Sequence, residues 1–403
     1  MISVGIDISK GKSTVCFMKL GGEILKPTFE IDHTAKELED LVVMIKSFDE
    51  EVRVVLEYTG HYHLPVVTLL VENDIFVCCI NALRMKKFCS QSLRRAKTDK
   101  IDSIKIAKFG LTYWSELVPM LPINEVYHEL KLLARQYYQT TSLLVKEKIN
   151  LSNLLDQVMP NIQTVLKNDS YSQKLEEFIK RYIHFNKITE MGEENFTVDY
   201  CKWAKEKGYH NNERKAAQIF ALAQNGIPTL PNSVSTQIAV SEAVKLIQFI
   251  NESRNTILAQ MNEFCKSLPE YAVVREMPGI GDKLAPRIIA EIGDVRRFKN
   301  KHSLIAYAGI DAPPYQSGSF NASERHISKR GNPYLRKTGY EIMQSLIKHK
   351  PQNDAVYDFI VKKRYEGKCG KEAMIAGLNK FLRVYFGKVT ELYSNLECQD
   401  LTV

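Results

Sequence analysis

Residues 2–31 read ISVGIDISKGKSTVCFMKLGGEILKPTFEI, and this stretch decides the fold of the amino-terminal part. ISVGIDI and STVCFMKL are runs rich in β-branched and apolar residues, which predicts two strands. Gly21-Gly22 predicts a hairpin turn into a third strand, EILKPTFEI. Further along, AKELEDLVVMIKSF has helical periodicity, and VRVVLEY is a near-continuous apolar run of the kind buried on both faces of a sheet. HLPVVTLLVEN predicts a helix, FVCCIN a strand, and a helix-prone basic stretch follows. Three strands with a hairpin, then helix–strand–helix–strand–helix, describe a mixed-sheet α/β domain.

The ribonuclease-H-like layout is one member of that class. From about Glu116 to Lys266 the pattern turns almost wholly helical, with two long amphipathic segments separated by a spacer. Such a pair suggests an antiparallel coiled coil or a dimerisation arm, with a plain helical bundle as the alternative, and the spacer from Pro160 to Asn232 suggests a small helical cap. The expected division is therefore 1–115, an α/β catalytic domain; 116–266, a helical coiled-coil and linker region; and 267–403, a carboxy-terminal helical domain. In the last, MPGIG (277–281) between two helical patterns predicts a helix–hairpin–helix whose Gly279 and Gly281, with Lys283, approach a phosphate backbone.

Composition narrows the function. The chain has 403 residues, a net charge of +8, and no apolar run of the roughly 20 residues that a membrane span requires. The amino terminus lacks the layout of a signal peptide, and the eight cysteines form no CxxC pair, which predicts a cytoplasmic protein without disulfides or zinc. Positive charge is concentrated in two places. Between Arg84 and Lys108 there are nine Lys/Arg against two acids, and between Arg287 and Lys350 twelve against five. Clustered cations of this kind suit a nucleic-acid backbone. Arg94, Arg95 and Lys97 belong to the first cluster, and Arg325, Lys329, Arg330 and Arg336 to the second.

Four acids sit where chemistry is expected. Asp7 and Glu57 end apolar strands, at the crevice where open α/β sheets place ligands, and an unpaired carboxylate at a buried strand end is costly. Thr98 predicts a helix cap, which puts Asp99 and Asp102 on one face of the first turns. Hard oxygen donors of this type suit Mg²⁺ or Mn²⁺. Taken alone, Asp99 and Asp102 read equally as capping residues paired with Arg95 or Lys105. Ser317 lies in YQSGS, a Gly-containing loop followed by cations, where a hydroxyl can meet a phosphate; Tyr315, Ser319 and Ser323 are its rivals.

VGIDISK, LEYTGHY and KTDKIDS, in that order, resemble the motifs of DEDD-type insertion-sequence transposases, a family that includes the Piv-type DNA invertases. MPGIGDKLAPRIIAEIGD, FKNKHSLIAYAGIDAPPYQSGS and ISKRGNPYLRK resemble the second conserved domain of that family. Ser103 departs from the small apolar residue frequent after the second Asp. The resemblance implies a ribonuclease-H-like domain with Asp7, Glu57, Asp99 and Asp102 as catalytic, metal-binding acids, and Ser317 as nucleophile. It further implies DNA strand cleavage and rejoining through a phosphoserine, acids and serine coming from different subunits of a dimer or tetramer, and a structured bridge RNA as guide. A prokaryotic, nucleoid-associated location goes with it. The alternative on the same fold is a junction-resolvase-type nuclease that uses water. A sugar-kinase-like or chaperone-like ATPase shares the opening strand and Gly-Ile-Asp, but a second Gly-rich phosphate turn is missing. A non-catalytic DNA-binding protein leaves the four acids unexplained.

Overall fold

The structure, a computed structural model, describes residues 1–90, 98–120, 124–166, 173–210, 212–313, 316–317, 320–321 and 326–400. It divides into two compact units, Met1–Glu125 and Val126–Val403.

The first unit is built on a five-stranded sheet of β1 (Ile2–Ile8), β2 (Lys12–Lys19), β3 (Phe29–Asp32), β4 (Val52–Glu57) and β5 (Val77–Ile80), in the order β3-β2-β1-β4-β5. β1–β2 and β2–β3 are antiparallel, whereas β1–β4 and β4–β5 are parallel. The hairpin after Gly21-Gly22 forms as expected, with an isolated bridge between Met18 and Ile24, but pairing lapses before resuming at Phe29. Pro27, which has no N–H to give to a ladder, lies in the gap. The helices are α1 (Ala35–Lys46), α2 (Leu64–Glu72), α3 (Ala82–Cys89) and α4 (Asp99–Thr112).

The two faces of β1 are unlike. Ile2, Val4, Ile6 and Ile8 pack with Leu41 of α1 and Val66 of α2 in one core. The other face carries Ser3, Gly5 and Asp7, the alternate positions of the strand. Here α4 lies almost on the backbone. A Cβ at Gly5 would stand 2.3 Å from both Ala107 N and Ser103 O, and one at Gly110 would stand 2.2 Å from Ser3 Oγ. Gly5→Ala is thus expected to force α4 off the sheet, since the opposing atoms are main chain. The loss is about 3 kcal/mol by analogy with overpacked cores, and urea denaturation measures it.

The second unit is helical: α5 (Glu125–Val158), α6 (Ile162–Val165), α7 (Gln173–Tyr182), α8 (Phe185–Met191), α9 (Glu193–Glu206), α10 (Glu213–Asn225) and α11 (Val234–Lys266) lead to α12 (Glu270–Arg275), α13 (Ala285–Ile292) and α14 (Lys301–Ala308). A short antiparallel pair, β6 (Gln316–Ser317) and β7 (Phe320–Asn321), precedes α15 (Pro333–His349), α16 (Ala355–Tyr365) and α17 (Gly370–Asp400). Tyr127, Leu130 and Ala134 of α5 share a core with Leu258, Met261 and Cys265 of α11. Leu144, Leu151 and Leu155 share a second core with Val240, Val244 and Ile247. The start of each long helix therefore shares a core with the end of the other, an antiparallel arrangement and one of those that the periodicity left open. The spacer helices α6–α10 fill the second core.

Candidate functional site

The parallel register places Ile6 opposite Leu56, so Asp7 and Glu57 occupy the next rung, at the carboxy-terminal ends of neighbouring strands. Side chains in register on adjacent parallel strands point to one face, with strands about 4.8 Å apart. That face is the one covered by α4, because Val55 also meets Gly110.

The close approaches fix how far α4 reaches. Gly110 lies over Ser3, and Ser103 and Ala107 bracket Gly5. Two strand residues span about 7 Å, as do about five helical residues. Continuing by one such step, the level of Asp7 falls between Asp99 and Asp102 on α4. The first turn of α4 starts where it must, for Thr98 Oγ1 accepts the Ile101 N–H at 3.3 Å.

Charge contacts agree with this placement. Asp102 is half-buried and pairs with Lys105 at 3.3 Å. Asp99 is exposed, and its charge adds to a rise in the Lys12 pKa that comes chiefly from the hydrogen bond to Glu30 at 3.0 Å. Cys89, at the end of α3, has its thiol pKa pushed up by burial; Lys105 opposes the rise, and Asp102 and Glu57 add to it. One thiol thus feels acids from both β4 and α4. Asp7 and Glu57 are half-buried and engaged with neighbours. Ser103 is buried, its hydroxyl donating to the Lys100 carbonyl at 2.9 Å, which accounts for a polar residue at that position.

Carboxylates are the donor type that a hard divalent cation takes: Asp7 and Glu57 stand at the ends of neighbouring strands, and Asp99 and Asp102 in the first turn of the helix packed on that face. As they stand, no three His, Cys, Asp or Glu side chains among the described residues are arranged to hold a metal ion, and Lys105 is the cation at Asp102. Past Glu57 the chain turns through Tyr58, whose hydroxyl donates to Met120 Sδ at 3.4 Å and whose ring meets His63 edge-on at 5.3 Å. Burial lowers the His63 pKa, against a backbone hydrogen bond with Thr59 that raises it.

In the second unit Ser317 sits in the short β-pair, its backbone opposite Phe320, rather than in an irregular loop. The base of the segment is tightly closed. Asn332 N–H donates to Tyr307 O at 2.6 Å and Lys329 N–H to Gly309 O at 3.0 Å. A Cβ at Gly331 would fall 2.1 Å from Tyr307 O, so only glycine allows the two feet to touch. Arg336 Nη1 donates to Ala308 O and Gly331 O at 3.0 and 3.1 Å, which ties this side chain to the loop base. Asn332 caps α15 and donates from Nδ2 to Glu291 at 2.7 Å, and Arg135 donates to the same buried carboxylate. Sequence reasoning missed Glu291 and Arg135, because only the fold brings these distant residues together.

The other expected contacts divide. Lys329 and Arg330 are exposed, and so are Lys283 and Gly281. Gly279 has φ +84°, and a Cβ there would meet Leu346 Cγ at 2.8 Å, so this glycine serves packing against α15. Arg94, Arg95, Lys97 and Arg325, with Tyr315, Ser319 and Ser323, lie outside the described residues. No helix among the described residues is long and apolar enough to cross a membrane.

Residues 4–160 match the model of a DEDD transposase of the IS110 type, and residues 271–358 that of the IS116/IS110/IS902 transposase family. The chain is 22% identical to an uncharacterized 44.8 kDa protein of insertion element IS116 from Streptomyces clavuligerus, over 93% of this chain and 91% of that one. It is 21% identical to the pilin gene-inverting protein of Moraxella bovis, over 96% and 95% respectively. Among solved structures, RuvC of Thermus thermophilus aligns at 13% identity and a TM-score of 0.25, over 30% of this chain and all of RuvC. The five-stranded mixed sheet followed by a helical remainder is the expected fold class, and the chain belongs to the IS116/IS110/IS902 family of transposases, enzymes of DNA transposition and recombination.

Proposed function

We propose that this transposase cleaves and rejoins DNA strands through a covalent phosphoserine at Ser317, with Asp7, Glu57, Asp99 and Asp102 as its metal-binding acids and an element-encoded bridge RNA as its guide. The observation that supports the reading is the packing of α4 on β1, with Ser103 and Ala107 bracketing Gly5, together with Asp7 and Glu57 at the ends of neighbouring strands and Asp99 and Asp102 in the first turn of α4. A bound Mg²⁺ or Mn²⁺ supplies Lewis-acid polarisation of a phosphate.

Ser317 Oγ attacks phosphorus, forming the Oγ–P bond as the P–O3′ bond breaks. The hydroxyl proton leaves with a base and the departing 3′ oxygen gains one. A second 3′-hydroxyl reverses the step on the 5′-phosphoserine, so no energy-rich cofactor is consumed. The closed loop base at Gly309, Gly331 and Arg336 holds the stem on which Ser317 is carried. Lys283, Lys329 and Arg330 are exposed, and in this reading they meet phosphates.

The test is cleavage of supercoiled DNA carrying the ends of the element, with and without Mg²⁺, quenched in denaturant. DNA covalently joined to protein, formed only with the metal, is expected, together with a defined RNA among co-purifying nucleic acids. Nicked DNA with no adduct points instead to water as nucleophile, the resolvase-type reaction. Absence of a defined RNA removes the guide from the proposal.

A further inference from the structure

The turn joining α16 to α17 reads KKRYEGKCGKE, residues 362–372, with five Lys/Arg against two Glu. It lies beyond residue 358, where the second family match ends. Tyr365 is 88% exposed, the most exposed large apolar side chain among the described residues. Gly367, at φ +88°, turns the chain so that α17 starts three residues later.

The acids in the turn do not neutralise it. Glu366 is taken by Lys363 at 2.5 Å, and Lys363 also lies 5.2 Å from the Phe359 ring centroid. Lys362, Arg364, Lys368 and Lys371 are exposed, and among the described residues they form no ion pair. Glu372, in the first turn of α17, is the one remaining acid.

Ordinary helix electrostatics explains part of this. Lys362, Lys363 and Arg364 end α16, where cations complement the helix dipole. Lys368 and Lys371 flank the amino terminus of α17, where the dipole disfavours them, so helix electrostatics does not account for these two. A tyrosine ring set in water also loses the apolar burial that makes it useful elsewhere. Cations that track a phosphate chain, combined with a solvent-facing aromatic ring, form the arrangement that binds single strands. Paired bases in a duplex are already stacked and offer the ring nothing.

We propose that the Lys362–Lys371 turn holds an unpaired stretch of nucleic acid, Tyr365 stacking on a base while Lys362, Arg364, Lys368 and Lys371 contact phosphates. The proposal is independent of Ser317 and of the four acids, so it stands or falls without strand cleavage. Its test is the binding of the full chain to a fluorescein-labelled 20-nucleotide oligothymidylate and to a 20-base-pair duplex, without metal. Tyr365→Ala is expected to weaken oligothymidylate binding about ten-fold and duplex binding less than two-fold, with Tyr365→Phe like the wild type. A Lys362→Gln, Arg364→Gln, Lys368→Gln triple variant is expected to weaken both and flatten the salt dependence. Tyr365 touches no core, so its variants fold. The proposal is overturned if the wild type does not bind oligothymidylate, if Tyr365→Ala binds it within two-fold of the wild type, or if that variant loses duplex binding equally.

Discussion

Asp102→Asn is expected to lower DNA strand cleavage by on the order of 10³-fold, the scale on which preorganised charge at a reacting phosphate acts, and to leave the protein folded. The amide keeps the shape of the carboxylate and removes its charge. Asp102 pairs with Lys105 at 3.3 Å, with both side chains about a fifth exposed (23% and 22%), so losing the pair costs at most about 1 kcal/mol. The α4 cap at Thr98 and the contact of the helix with Gly5 are untouched. Cleavage of supercoiled DNA gives the rate, and circular dichroism with urea denaturation gives the fold. Cleavage within ten-fold of the wild type would remove Asp102 from the acidic set. Gly5→Ala is the informative contrast, since it loses stability and activity together.

Ser317→Ala has a different signature. Removing a nucleophile that works as part of a set costs on the order of 10⁶-fold in kcat, and here the covalent protein–DNA species should vanish while DNA affinity stays within two-fold. Ser317 lies in a two-residue strand, and alanine needs no change of its backbone. The readout is denaturing electrophoresis of the quenched reaction, with mass mapping of any adduct. An adduct that survives in Ser317→Ala moves the chemistry to Tyr315, Ser319 or Ser323, and the map says which.

Much of the first unit was legible because its signals are local. Apolar runs end in Asp7 and Glu57, and Thr98 marks the start of α4, so strand ends and a helix start follow from adjacent residues. The register that joins them is not local. Gly5 and Gly110 are ordinary glycines until α4 crosses β1, and only then does their lack of a side chain decide where Asp99 and Asp102 fall. In the same way Arg336 reads as one more cation on a basic segment, yet one nitrogen of its guanidinium donates to two carbonyls of the loop base. Glu291 looks like a surface residue of a helix and is in fact buried between Arg135 and Asn332. Pattern reveals what a residue can do; packing determines which of those things remain available to it.

The two long antiparallel helices have a consequence for how such a chain can change. Each runs about 50 Å, and the cores at their two ends share no residues. The far end is filled by α6–α10, which fall in the interval between the two family-matched stretches, 4–160 and 271–358. A helix pair of this kind works as a socket and plug. The tip can be enlarged, trimmed or exchanged over evolutionary time, provided the stems keep their register, and the carboxy-terminal core that carries Ser317 does not register the alteration.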